Sequence, residues 1–207
     1  SLLRDHSLGA LTPQQSEVAH ILGEAAAELG TLIGNLLSYA EWRQGERKPE
    51  MAWFETRALI SEVLIAHRLP MARRGLSVEL AVRSPRLFGQ RSRLRVALDN
   101  LIGNAIKHAP EGSVIEVRAG VREGSCELCV RDHGRGVPGQ EQGRIFEPFV
   151  RGIEAEETSV RGTGIGLSIV RETALAHDGT VEVKDAKPGA LFRMVWPCPP
   201  GGMAARA

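Results

Sequence analysis

RSRLRVALDNLIGNAIKH, residues 91–108, predicts a helix with two distinct faces. At about 100° per residue, Leu94, Leu98, Leu101, Ile102 and Ala105 share one arc, suited to packing on a sheet. Asn100, Asn104, Lys107 and His108 share the neighbouring arc. Two amides, an ammonium and an imidazole side by side can ligate a metal and reach phosphate oxygens, or can simply form a solvated face. Ala109-Pro110 ends the helix, because proline pushes the residue before it out of helical backbone.

Downstream, SVIEVRAG (113–120) and SCELCVRD (125–132) alternate as adjacent strands across a short glycine turn. The second strand runs into RDHGRGVP (131–138). An Asp at a strand end, followed by two glycines and Val-Pro, places a carboxylate beside a sharp turn. It can accept from an adenine amino group, or the segment can be an ordinary strand-closing loop. RGTGIGLSIV (161–170) leads straight into a helix, and its alternate glycines expose backbone N–H groups, a ready anion site. It lacks the Gly-Lys-Ser/Thr ending of a Walker A loop and the spacing of a dinucleotide-binding fingerprint.

Upstream, Trp53 to about Met71 reads as one amphipathic helix, with Leu59, Ile60, Val63, Leu64 and Ala66 as its apolar positions, and LSVELAV (76–82) alternates as a strand. After the helix that ends near His177 come strands TVEVKD (180–185) and ALFRMVW (190–196). These elements predict an α+β domain of about 150 residues with a mostly antiparallel or mixed sheet. RQGERKPE (43–50) is a charged linker and the expected boundary. Before it, Val18, Leu22, Ala25, Leu29, Leu32 and Leu36 form a heptad seam from Thr12 to Trp42. Thr12, Pro13 and Gln15 read as N-cap, first helical residue and capping-box partner. SLLRDHSL with Gly9 predicts the end of a preceding helix, hence a hairpin whose first arm is cut short.

The 207 residues are 43% hydrophobic and carry a net charge of +1, which excludes disorder and predicts no nucleic-acid partner. No apolar run approaches the roughly 18 residues of a membrane span. There is no signal peptide and the first residue is Ser, so a piece of a longer protein is expected. Three cysteines make no disulfide framework, and a reduced cytoplasmic compartment fits. Cys126 and Cys129 form C-x-x-C, but on a strand they point to opposite faces, so packed thiols are expected rather than a redox or metal pair. Cys198, in a Pro/Gly-rich tail, is expected to be exposed.

The order N-x-x-x-N-x-x-K-H, D-x-G-x-G-V-P, F-E-P-F (146–149) and G-T-G-I-G-L (162–167) resembles the GHKL ATPase superfamily, specifically the catalytic core of sensor histidine kinases. The resemblance covers about Glu50 to Pro197. It implies a two-layer α/β sandwich with a mixed sheet and helices on one face (the Bergerat fold), preceded by a dimerisation hairpin. The implied domains are 1–46, a partial hairpin, 47–197, the ATP-binding domain, and 198–207, a tail or linker. Gyrase-type, chaperone and anti-sigma relatives carry Glu where this chain has Asn100, and there it serves as the base for attack on the γ-phosphate. Asp99, the nearest acid, is turned by about 100°.

The implied activity is phosphoryl transfer from ATP to histidine, with Mg²⁺. Asp132 would bond the adenine amino group, with Gly134 and Gly136 walling the base pocket. Asn104 and Asn100 would hold the metal, and Lys107 and His108 would contact phosphates. The N–H groups of Gly164, Ile165, Gly166 and Leu167 would cradle the phosphates, with Gly162 and Thr163 also among the ATP-binding residues. Residues 147–161 would form a mobile lid, carrying Phe149 and with Arg151 reaching the γ-phosphate. His6 and His20 lack the H-box context of an acid, a basic residue and Pro-Leu, so no phosphoacceptor is expected in this chain. The implied partners are a cognate response regulator and a second copy of the chain. The implied location is cytoplasmic, with a longer parent protein anchored in the inner membrane. Gln90 stands where many relatives have an acid, and Ala190 follows Gly189 where relatives often have a hydroxyl residue. The competing readings are a degenerate, non-catalytic scaffold and an anti-sigma-type serine kinase. Asn100 and the hairpin disfavour the second.

Overall fold

A computed structural model describes residues 50–150 and 164–200, and at the N-terminal end residues 12, 14–19, 21–23, 26, 30, 33 and 34. The N-terminal positions are helical from 14 onward. Thr12 N–H donates to Gln15 Oε1 at 3.0 Å and Gln15 N–H donates to Thr12 Oγ1 at 3.3 Å, the reciprocal capping box expected from the sequence.

The first departure from the sequence reading falls at 53–71. Ala52–Glu55 is a strand, β1, paired antiparallel with a second four-residue strand that the sequence reading missed. Helix α1 begins only at Thr56 and runs Thr56–Ala66, and a separate helix α2 spans Arg68–Arg73. Pro70 explains the break: it has no N–H for the Ala66 carbonyl, whereas in the first turn of a new helix that N–H is not needed. Aromatic packing holds the small sheet, with Trp53 and Phe88 ring centroids 5.4 Å apart.

The remaining elements follow in order. They are β2 (Ser77–Val82), β3 (Arg86–Gly89, the partner of β1), α3 (Arg91–His108), β4 (Val114–Arg122), β5 (Ser125–Arg131), α4 (Gly166–Ala176), β6 (Thr180–Asp185) and β7 (Ala190–Pro197). The main sheet runs β2-β4-β5-β7-β6, with β2 parallel to β4 and every other pair antiparallel. It is a mixed sheet, as expected. Period-two alternation sorts its faces: Val117, Val130 and Phe192 lie in register on the buried face, as do Leu128 and Met194. The opposite face carries charge, with Arg193 bridging Glu127 at 2.7 Å and Glu182 at 3.2 Å.

α1, α3 and α4 pack on the apolar side. Leu94, Leu98, Leu101, Ile102 and Ala105 are essentially sealed from solvent, so the predicted apolar arc of α3 is the buried one. Each large side chain contributes about 1.5–3 kcal/mol by burial. Cys126 and Cys129 are buried thiols on β5, and burial pushes each up to about 12. Cys198 is not exposed as expected but half-buried, because its N–H extends the ladder past β7 to the Gly124 carbonyl at 2.9 Å.

His177, just past α4, ties three elements together. Its Nδ1–H donates to the Thr173 carbonyl (2.7 Å), its Nε2 accepts the N–H of Gln90 at the start of α3 (2.9 Å), and its ring meets Trp196 edge-on at 6.0 Å. This pattern needs the neutral ring. Burial lowers its pKa, opposed by the Thr173 bond and aided by Arg93. The unfolded chain therefore takes up a proton that the native ring resists, so stability falls as pH drops below the ordinary imidazole value of about 6.5. His108, lowered chiefly by desolvation, adds in the same direction. We expect urea midpoints to fall between about pH 7 and pH 5.5, above the range where carboxylates titrate, with a shallower fall in His177→Gln. An unchanged slope in that variant would remove His177 from the account.

Candidate functional site

Three segments far apart in sequence meet along the polar arc of α3. Asn100 is half-buried; its Nδ2 donates to the Val96 carbonyl at 2.8 Å, which turns its Oδ1 toward the start of α4. A Cβ on Gly166 would stand 2.6 Å from that oxygen, so a side chain there would displace the Asn100 amide. Asn104 lies one turn further on, half-buried, and Lys107 and His108 are exposed at the C-terminal end. His108 keeps an exposed ring, yet the protein around it lowers its pKa by desolvation. Asp132 opposes that shift, and Lys107 and Arg74 reinforce it.

Asp132 is 2% exposed, beyond the last residue of β5. Its Oδ1 accepts the Gly134 N–H at 2.8 Å and, more weakly, the Ala190 N–H at 3.4 Å. Gly134 packs so closely against the His108 carbonyl that a side chain there would overlap it. The carboxylate is thereby held at the C-terminal end of α3, close enough to His108 to act on its charge. A cavity of about 150 Å³, lined by Arg135, Gly136, Val137, Pro138, Gly139 and Asp185, adjoins this turn. A larger groove of about 380 Å³ lies along Phe146, Arg171 and β6 and includes none of the polar residues of α3. The polar arc and the Asp132 turn bring the candidate site residues together.

At the start of α4, Ser168 Oγ donates to the Ile165 carbonyl at 2.7 Å, and Ile165 and Ser168 are buried. Gly164, Gly166 and Leu167 are half-buried, so first-turn N–H groups lie near Asn100. Phe149 is 71% exposed, and its N–H donates to the Gly164 carbonyl at 2.9 Å. Arg151, Gly162 and Thr163 lie outside the described residues.

The sequence reading gave no role to the turn between β6 and β7. Asp132 N–H donates to the Ala190 carbonyl at 3.1 Å, and Gly189 packs directly on the Asp132 peptide. The only signal was a glycine between two predicted strands, which did not say which loop the turn would touch.

A buried carboxylate, paired Asn side chains on a helix and a glycine-led helix start thus lie close together in the fold. Residues 89–200 match the family described as histidine kinase-, DNA gyrase B-, and HSP90-like ATPase. The sensor-like histidine kinase SenX3 of Mycobacterium tuberculosis is 34% identical over 167 residues, 79% of this chain and 40% of that protein. The mycobacterial sensor histidine kinase MprB structure superposes with a TM-score of 0.60 at 31% identity, covering 70% of this chain and 96% of that one. Full-length ShkA, solved in complex with AMPPNP, gives a TM-score of 0.74 at 28% identity over 95% of this chain and 41% of that one. The chain belongs to the sensor histidine kinase family and carries its ATP-binding catalytic domain. It spans about 40% of the length of the curated relative SenX3.

Proposed function

We propose that this chain binds ATP with Mg²⁺ and delivers the γ-phosphoryl group to a histidine imidazole, giving phosphohistidine and ADP. The observation that carries transfer over hydrolysis is the placement of Asp99. At the position where the hydrolysing relatives carry Glu, this chain has Asn100. Asp99, the adjacent acid, accepts from or pairs with His67 Nε2 at 3.1 Å, at the junction of α1 and α2. No carboxylate is therefore offered beside Asn100 on α3 to activate water.

The residues do positioning work. Asp132 accepts from the adenine amino group, and the turn with Gly134 and Gly136 lets the base approach. Amide oxygens suit Mg²⁺, a hard cation, so Asn100 and Asn104 would hold it. When bound, the ion neutralises charge between phosphates. Lys107 and His108 contact phosphate oxygens, and the N–H groups of residues 164–167 cradle them. By family resemblance Phe149 and Arg151 belong to the lid, and Gly162 and Thr163 to the glycine segment that meets the nucleotide. We further infer an ATP-binding domain at 47–197, a dimerising hairpin before it, a tail or linker at 198–207, and a response regulator as partner on the cytoplasmic side. Among the described residues no helix is long and apolar enough to cross a membrane. ShkA binding AMPPNP supports nucleotide use.

The test is calorimetric titration with ATP, with and without Mg²⁺. Magnesium should tighten binding by about tenfold or more, and Asn104→Ala should remove most of that gain, since a lost ligand to a charged group costs about 1.5–3 kcal/mol. No ATP binding by the unmutated chain would sink the proposal and revive the scaffold reading.

A further inference from the structure

α3 ends without a glycine cap. Ala109 leaves the helix at φ −63° and ψ 140° ahead of Pro110, so the last turn has carbonyls with no helical donor. The Ala105 carbonyl accepts the Ala109 N–H at 2.8 Å. The carbonyls of Ile106, Lys107 (3.1 Å) and Ala109 (2.8 Å) all accept from one side chain, the guanidinium of Arg74. Arg74 stands immediately after α2, 33 residues before Lys107. Its own carbonyl accepts the Gly112 N–H at 2.9 Å, so the same residue also holds the turn that leads into β4.

We infer that Arg74 is a positioning residue, whose guanidinium fixes the last turn of α3 and thereby sets the reach of Lys107 and His108 toward the phosphates of a bound nucleotide. The inference rests on the ATP-binding reading of the site. A planar fork with several donors can serve three carbonyls at once, and its charge opposes the negative end of the helix dipole. A lysine ammonium on a flexible stem has no such fork. The same last turn abuts Gly134, so its placement also fixes the spacing between Lys107, His108 and the Asp132 carboxylate.

The experiment is a double-mutant cycle on the full chain. It titrates Mg²⁺-ATP and adenosine into the wild type, Arg74→Ala, Lys107→Ala and the double variant, with melting curves alongside. Arg74→Ala should weaken ATP binding about five- to tenfold while adenosine binding changes less than about twofold, because adenosine carries no phosphate. In the Lys107→Ala background the Arg74→Ala effect on ATP should shrink to about twofold. Arg74→Lys should fall between, and it replaces Arg74→Ala in the cycle if that variant is unfolded. Equal losses for ATP and adenosine, or full additivity with Lys107→Ala, would reduce Arg74 to a structural residue and overturn the inference. Absence of ATP binding by the wild type would instead overturn the nucleotide reading itself.

Discussion

Asp132→Asn is expected to weaken ATP binding about a hundredfold, or about 2.7 kcal/mol, without unfolding the domain. The carboxylate is buried, and one of its oxygens is already committed to the Gly134 and Ala190 N–H groups. That leaves the other oxygen as the acceptor for the adenine amino group. An asparagine has the same shape but one oxygen fewer. Its NH₂ must face either the two backbone donors or the adenine amino group, and each choice sets donor against donor. A lost charge-assisted bond costs about 1.5–3 kcal/mol, and an unpaired buried donor about 1–3 kcal/mol more.

The same argument predicts a change in specificity. Inosine triphosphate carries a carbonyl where ATP has the amino group, so the wild type should reject it and the Asn variant should bind it relatively better. Titrating both nucleotides against both proteins decides the matter. An ATP affinity within about threefold of wild type in the variant would remove Asp132 from base recognition.

The part of this site that could be read from sequence lies in long or punctuated segments. Residues 91–108 are five turns of unbroken period, so the division between buried Leu94, Leu98 and Leu101 and half-buried Asn100 and Asn104 was legible at 100° per residue. Asp132 was legible because a strand pattern stops there and glycines begin. The capping box of Thr12 and Gln15 was legible because its chemistry is local.

What was missed depends on partners distant in the chain. β1 and β3 are four residues each, too short for a period, and each exists only because the other pairs with it from a distant part of the chain, Ala52 opposite Gly89 and Glu55 opposite Arg86. The break between α1 and α2 was announced by Pro70 but hidden by apolar positions that continue across it. The bond between Asp99 and His67 and the fork of Arg74 on α3 follow from how α1 and α2 pack on α3, which no local pattern encodes. Position 189 belongs to the same class, and there the tertiary contact has the larger consequence.

Gly189→Ala is expected to destabilise the domain by about 3 kcal/mol or more and to abolish measurable ATP binding. Gly189 has φ +97°, a conformation that costs an L-residue about 1–3 kcal/mol. A Cβ there would also overlap the Asp132 carbonyl oxygen and lie 2.6 Å from its carbonyl carbon and 2.8 Å from the His133 Cα. All three are backbone atoms, so no rotamer change relieves the contact, and the Asp132 peptide must move. That movement breaks the Asp132 N–H bond to Ala190 and shifts the carboxylate away from the end of α3. Stability and binding therefore fall together, whereas Asp132→Asn lowers binding alone. Gly139→Ala is the control, since nothing lies within 4 Å of a Cβ there and its backbone is not left-handed. Urea denaturation should place Gly139→Ala with the wild type and Gly189→Ala well below both. A Gly189→Ala protein within about 1 kcal/mol of wild type would show that the Asp132 loop can yield to a methyl group, and that the turn between β6 and β7 does not hold the carboxylate in place.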